Sequence, residues 1–570
     1  MSAQGKKVLA IIGVVFVIAA LTVALILIKK YTPSKTVMGL DKYYQLEDNH
    51  AAVILQNELS EIPGRYLDGI YYLPYETVKE YLNARFYWDA NQSILIYTTP
   101  TEVIKAGLGE NAYTVNQGKT ETTYQVVKAE GSQVLIALDF VKAYSNITSK
   151  EYDNPRRVVI QYNWDTEELQ AVVKKDTQIR YNPGIKFDVL EQIEEDKTVK
   201  ILDDGTRYGN EQDFYKAIAE DGVIGYIRIK HVEEPKKVMP KNDYQEPVYS
   251  HILKDYTINM VWHQVTNEYS NEELLNLLSM TKGVNTIAPT WFSVSSNKGN
   301  ITSLASETYV ERAHAQGVEV WALCDDFDEN VSMLTVLSNT GSREKLEKEL
   351  LSAAIKYELD GINIDFEKIP AEAGEHFIQF IREMSIRCRN NGIVLSIDNY
   401  PPTEYTAYYN RREQAAVADY VITMAYDEHY AGSEESGSVS SISYVRDAVA
   451  NMAELAPPEQ TIIALPFYTR LWKEKTKDGK MADPPESYSM SNAENYLKDH
   501  GAKTKWDETT AQYYAEFKEG KVTYKMWLEE EKSLEEKMKV CDAGNVAGYS
   551  FWKLGLEKKA VWNTIIKYTN

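Results

Sequence analysis

Between about residue 251 and residue 570, eight runs of strand length and nearly unbroken apolar character recur: Ile258–Gln264, Val284–Trp291, Val318–Cys324, Gly361–Glu367, Ile393–Asn399, Tyr420–Tyr426, Thr461–Phe467 and Val546–Trp552. Helical patterns separate them, among them SREKLEKELLSAAIKY, with Ser342 as its expected cap. A strand covered on both faces loses the alternation of a half-exposed sheet, and strands joined by helices run parallel. Eight such strands predict an α/β fold, the (β/α)8 TIM barrel. A doubly wound open sheet is the alternative, but it does not require eight strands. The longest interval, between the seventh and eighth runs, leaves room for a small insertion around 473–535.

The 570 residues also hold a very different segment. From Val8 to Ile28 there is no charge, and Thr22 is the one polar side chain. At about 1.5 Å per residue this run spans a hydrocarbon core of roughly 30 Å. Residues 1–30 therefore read as a cytoplasmic stub and transmembrane signal anchor, which places the rest of the chain outside the cell membrane. The alternative, a cleaved secretory signal, normally has a shorter apolar region of about 7–15 residues. Either way the remainder is exported. After a linker at 31–38, residues 39–163 and 168–232 carry short strand patterns that predict two small β-rich domains, and the Pro-containing stretch EEPKKVMPKNDYQEPV marks a linker at 233–250. The barrel then occupies 251–570.

A formal charge of -22, from 84 acidic against 62 basic residues, repels the phosphate backbone and excludes nucleic acid as a natural partner. A neutral substrate fits better. The three cysteines are far apart and read as core filling, and neither a C-x-x-C nor an H-E-x-x-H pattern occurs. No metal and no cofactor is expected.

The chemistry concentrates in YELDGINIDFEKIP. On a strand, side chains alternate, so Asn363, Asp365 and Glu367 share one face while Ile362, Ile364 and Phe366 share the other. A polar stripe inside a barrel is costly unless it reaches the carboxyl-terminal mouth, where this fold builds its active sites. Asp360 has the opposite character: it precedes the strand and reads as structural.

D-G-I-N-I-D-F-E resembles the D-x-x-D-x-D-x-E signature of glycoside hydrolase family 18, with Asn363 in place of the second acid. Met424, Tyr426 and Asp427 in ITMAYDEH resemble that family's Met-x-Tyr-Asp strand, and Trp552 in GYSFWKLG resembles its aromatic floor. The likeness covers the barrel, and within the family it lies nearest the N-acetylglucosaminidases of spore cortex and peptidoglycan. Residues 39–163 resemble stalk domains similar to a copper amine oxidase amino-terminal domain, and 168–232 resemble a bacterial Src-homology-three-like domain.

The resemblance implies substrate-assisted, retaining cleavage of an N-acetylated glycan, peptidoglycan or chitin-like. Glu367 would be the acid and base, Asp365 would orient the 2-acetamido group, and Tyr426 would bond its oxygen. Asp427 would touch the same sugar and Trp552 would stack beneath it. Asn363 cannot take a proton from Asp365 as a carboxylate does. Trp291, Asn399, Glu428 and Arg470 are further candidates for the sugar groove, as are Asp325, Asp326, His429 and Tyr468. A chitinase-like activity and a non-catalytic glycan-binding protein are the alternatives.

Overall fold

The computed structural model describes residues 2–475, 477 and 479–569. The chain divides into two compact units, one made mainly of residues 1–246 and the other mainly of 247–570.

The first unit begins with a 29-residue helix, Ala3–Tyr31, whose most apolar 18 residues have a mean hydropathy of 3.2 and which has no buried residue. Its single polar interior side chain is satisfied locally, because the Thr22 hydroxyl donates to the Ile18 carbonyl at 2.8 Å. By length and composition the helix is able to cross a membrane, and a signal sequence has the same properties. Two eight-stranded sheets follow, one formed from strands within 50–161 and one from strands within 168–238.

The second unit contains the barrel. Its strands are β1 (Ile258–His263), β2 (Thr286–Val294), β3 (Glu319–Asp325), β4 (Gly361–Asp365), β5 (Val394–Asn399), β6 (Tyr420–Met424), β7 (Thr461–Pro466) and β8 (Gly548–Trp552). Every neighbouring pair is parallel, and β8 pairs with both β7 and β1, which closes the ring. All eight predicted runs are barrel strands.

Alternation sorts the side chains. Trp262, Trp321, Leu323, Tyr420, Ile422, Met424 and Ile462 belong to a cluster inside the ring. Ile362, Ile364 and Phe366 join the outer core under the helices, where Phe366 stacks on Phe380 of the helix Gly374–Asn390. Burying one such side chain contributes about 1.5–3 kcal/mol. Gly361 is required by the packing: a Cβ there would lie 2.7 Å from the Trp321 ring and 3.1 Å from the Val394 carbonyl oxygen. Asp360 is structural as expected, accepting hydrogen bonds from the Val320 N–H and from His314 Nε2, both at 2.8 Å.

The insertion spans Tyr468–Leu528, a five-stranded antiparallel sheet with the helix Met490–Asp499 around its own small core. The expected cap at Ser342 is corrected. The helix is Thr340–Lys356, and Asn339 caps it by accepting from the Ser342 N–H at 3.1 Å. All three cysteines are free and buried.

Candidate active site

At the carboxyl-terminal end of β4 the chain carries its polar stripe to the mouth. Asn363 is fully buried and its amide is fixed from two sides. The indole N–H of Trp262, which can only donate, bonds Asn363 Oδ1 at 3.0 Å, so the NH2 group must face the other way. It donates to Ser396 Oγ at 3.0 Å and to Asp398 Oδ1 at 2.9 Å. Asn363 is thus a buried brace between β1, β4 and β5.

Asp365 lies one step nearer the mouth, buried, with Oδ1 lacking a hydrogen-bond partner among the described residues. Burial raises its carboxyl well above the usual range, and Asp398, Glu367, Asp326 and Asp325 raise it further. Glu367 follows the end of β4. Its carboxyl is also raised, mainly by burial, with Asp427 and Asp325 adding to the rise and a hydrogen bond with Tyr400 opposing it. A raised carboxyl keeps its proton to higher pH, which favours service as a general acid.

The loop carrying Glu367 is held in place by Asp326, whose carboxylate accepts the N–H groups of Glu367 and Lys368, each at 2.9 Å. Burial pushes Asp326 up to about 7. Asp325 accepts from Ser293 Oγ at 2.6 Å.

Opposite Glu367, beyond β6, Asp427 adopts a left-handed backbone conformation (φ 56°), which Asp tolerates better than most residues. Its Oδ1 accepts from the Tyr468 hydroxyl at 2.6 Å and from Arg470 at 2.9 Å, both on the first strand of the insertion. A cavity of about 420 Å³ lies between these elements, lined by Glu367, Tyr400, Met424, Tyr426, Asp427 and Tyr444 among others. Tyr426 meets Tyr468 edge-on at 6.3 Å. Trp552 tilts against Trp262 at 6.0 Å, inside the ring.

The structure therefore brings Glu367, Met424, Tyr426 and Asp427 around one cavity and sets Asp365, Asn363, Arg470 and Trp552 in the elements beside it. Three sequence candidates lie elsewhere. Trp291 sits in the outer core, donating to Asn271 Oδ1 at 2.8 Å and packing edge-on against Tyr309. Asn399 has the outward parity of β5, and its amide exchanges hydrogen bonds with Gln414 at 2.8 and 3.0 Å. Glu428 holds the cap of the helix Ile442–Ala453, accepting from the Ser441 N–H at 2.7 Å and the Ser441 hydroxyl at 3.0 Å. None of the three lines the cavity. His429 faces a backbone carbonyl, that of Ser438, at 2.9 Å.

Sequence reasoning missed Trp262, Asp398 and Tyr400. For Asp398 a signal existed: in VLSIDN, Ser396 and Asp398 have the inward parity and Asn399 does not.

A protonatable carboxyl at a barrel mouth, with a second carboxyl buried behind it and tyrosines across a cavity, is equipped for acid–base cleavage of a neutral substrate. Comparison with known proteins agrees with that class. Residues 326–557 match the model of glycosyl hydrolases family 18. A cortical fragment-lytic enzyme of Bacillus anthracis is 24% identical over 239 residues, 41% of this chain and 55% of the relative. The match thus spans about half the length of that curated relative. An uncharacterized glycosylase, YvbX of Bacillus subtilis (strain 168), is 25% identical over 322 residues, 54% of this chain and 91% of the relative. Among solved structures, the spore cortex-lytic enzyme SleL of Bacillus cereus shares the fold at TM-score 0.50 and 20% identity, covering 55% of this chain and 74% of that one.

Proposed function

We propose that the protein is a β-N-acetylglucosaminidase that hydrolyses peptidoglycan or a related N-acetylated glycan by substrate-assisted, retaining catalysis. The observation that carries this reading is Glu367, a carboxyl raised by burial and facing the same cavity as Tyr426 and Asp427. The family match and the cortex-lytic relatives support the substrate class.

In the proposed reaction the sugar's own 2-acetamido oxygen attacks the anomeric carbon while Glu367 protonates the leaving oxygen. Asp365 accepts the acetamido N–H and balances the positive charge of the cyclic intermediate. Tyr426 donates to the acetamido oxygen, Trp552 floors the sugar, and Asp427, held by Tyr468 and Arg470, binds its hydroxyls. Glu367, now ionised, then draws a proton from water, which opens the intermediate with retained configuration. The apolar helix Ala3–Tyr31 is proposed as a single-pass anchor, with 39–163 and 168–232 as spacers that carry the barrel outside the membrane.

The test is product analysis. Purified peptidoglycan and chitin oligomers are incubated with the protein, and the products are identified by mass spectrometry. Fragments with a reducing-end N-acetylglucosamine are expected from wall, and de-N-acetylated glycan should remain intact. Efficient cleavage of the de-N-acetylated polymer would refute substrate assistance.

A further inference from the structure

Asn363 leaves the stripe one carboxyl short, yet a different carboxyl stands beside it. In the parallel register of β4 and β5, Asn363 pairs with Ser396 and Ile364 with Ile397, so Asp365 and Asp398 are the next inward neighbours. Strands of one sheet lie about 4.8 Å apart, which puts these two side chains next to each other. Both are buried, and each has an oxygen without a hydrogen-bond partner among the described residues, Oδ1 of Asp365 and Oδ2 of Asp398.

The hydrogen bonds settle where a proton can reside. Trp262 forces the Asn363 amide to present its NH2 to Asp398 Oδ1, so that oxygen is an acceptor. The unpartnered Oδ2 is left to carry hydrogen. Two buried carboxyls side by side cannot both ionise without a large cost, and Asp398 raises Asp365 beyond what burial does. Asp325 at the end of β3, Asp326 just beyond it, Glu367 beyond β4, Tyr400 beyond β5 and Tyr426 beyond β6 also face this pair, and no cation is among them.

We propose that Asp398 is a positioning residue that shares one proton with Asp365, standing in from the neighbouring strand for the carboxyl that Asn363 replaces. This rests on the glycosidase reading above. At rest Asp365 carries the proton. When substrate binds, Asp365 turns to the acetamido N–H as an anion and its proton passes to Asp398 Oδ2; the O–H bond on Asp365 breaks, the one on Asp398 forms, and nothing is released to solvent. When product leaves, the proton returns to Asp365. Asn363 serves as the brace that keeps Asp398 Oδ1 occupied and Oδ2 free.

The test compares the wild type, Asp398→Asn, and the exchange variant Asn363→Asp with Asp398→Asn, in the full chain. With peptidoglycan as substrate, Asp398→Asn should lower kcat by roughly tenfold or more and shift the pH optimum, with KM little changed. The exchange variant should recover most of the loss. Thermal melting gives a reading independent of activity. Forcing a second ionisation on the pair costs stability as pH rises, so the wild type should lose more melting temperature between about pH 6 and about pH 9 than Asp398→Asn does. An unshifted kcat–pH profile, or a loss equal at all pH values and not recovered by the exchange, would overturn the proposal. If the wild type cleaves no glycan, the glycosidase reading fails. The pair then stands or falls on melting alone, and equal pH slopes would overturn it.

Discussion

Replacing Glu367 by Gln preserves the shape of the side chain and removes its proton. General acid–base assistance contributes roughly 10²–10⁴ in rate, and in a mechanism where the substrate supplies the nucleophile one carboxyl must act in both steps. The expected loss is therefore near the upper end, roughly 10³–10⁴ in kcat, or about 4–5.5 kcal/mol of barrier. The fold should not suffer. Burial and the nearby Asp427 and Asp325 raise the Glu367 carboxyl, so its ionised form destabilises the folded state. An amide escapes that cost, and above neutral pH Glu367→Gln should melt at the wild-type temperature or higher. Its backbone stays anchored by the Asp326 carboxylate. The assay is reducing-end release from purified peptidoglycan alongside melting curves at about pH 6 and about pH 8. Hydrolysis at the wild-type rate would refute the role, and lost activity with a lower melting temperature would point to folding in place of chemistry.

Other consequences follow from the same geometry. Trp262→Phe removes the donor that fixes Asn363 Oδ1 and leaves a buried acceptor unpaired, so urea unfolding should show a loss of about 1–3 kcal/mol, with kcat also reduced; unchanged stability would mean the amide is held some other way. Glu428→Ala should cost about 0.5–2 kcal/mol through the cap at Ser441 while kcat/KM stays at the wild-type value, whereas a rise in KM would return Glu428 to the sugar groove. Asp326, at about 7 in the folded state against an unfolded value near 4, contributes stability that is full below about pH 4 and lost as pH rises through about 7. Melting temperature should accordingly fall between about pH 5 and about pH 8, and Asp326→Asn should flatten that slope.

The sequence by itself determined the barrel, because strand length, apolar run and helical crossover are local patterns, and eight repeats leave few ways to bury them. It also determined the direction of the stripe. Period-two alternation sends Ile362, Ile364 and Phe366 to the outer core and Asn363 and Asp365 inward, and the structure agrees. The apolar run Val8–Ile28 was equally legible as a helix. Residue type alone was a poor guide at the strand ends. Trp291, Asn399 and Glu428 are the kinds of residue that line sugar grooves, yet Asn271, Gln414 and Ser441, from other segments, claim their polar atoms. Closure of the ring decided the rest. It set Trp262 of β1 against Asn363 of β4, and Asp398 of β5 beside Asp365. The physical reason is that a carboxyl's protonation and an amide's orientation depend on burial and on partners that lie 33 to 101 residues away in the chain, and these come within hydrogen-bond distance only when the barrel closes.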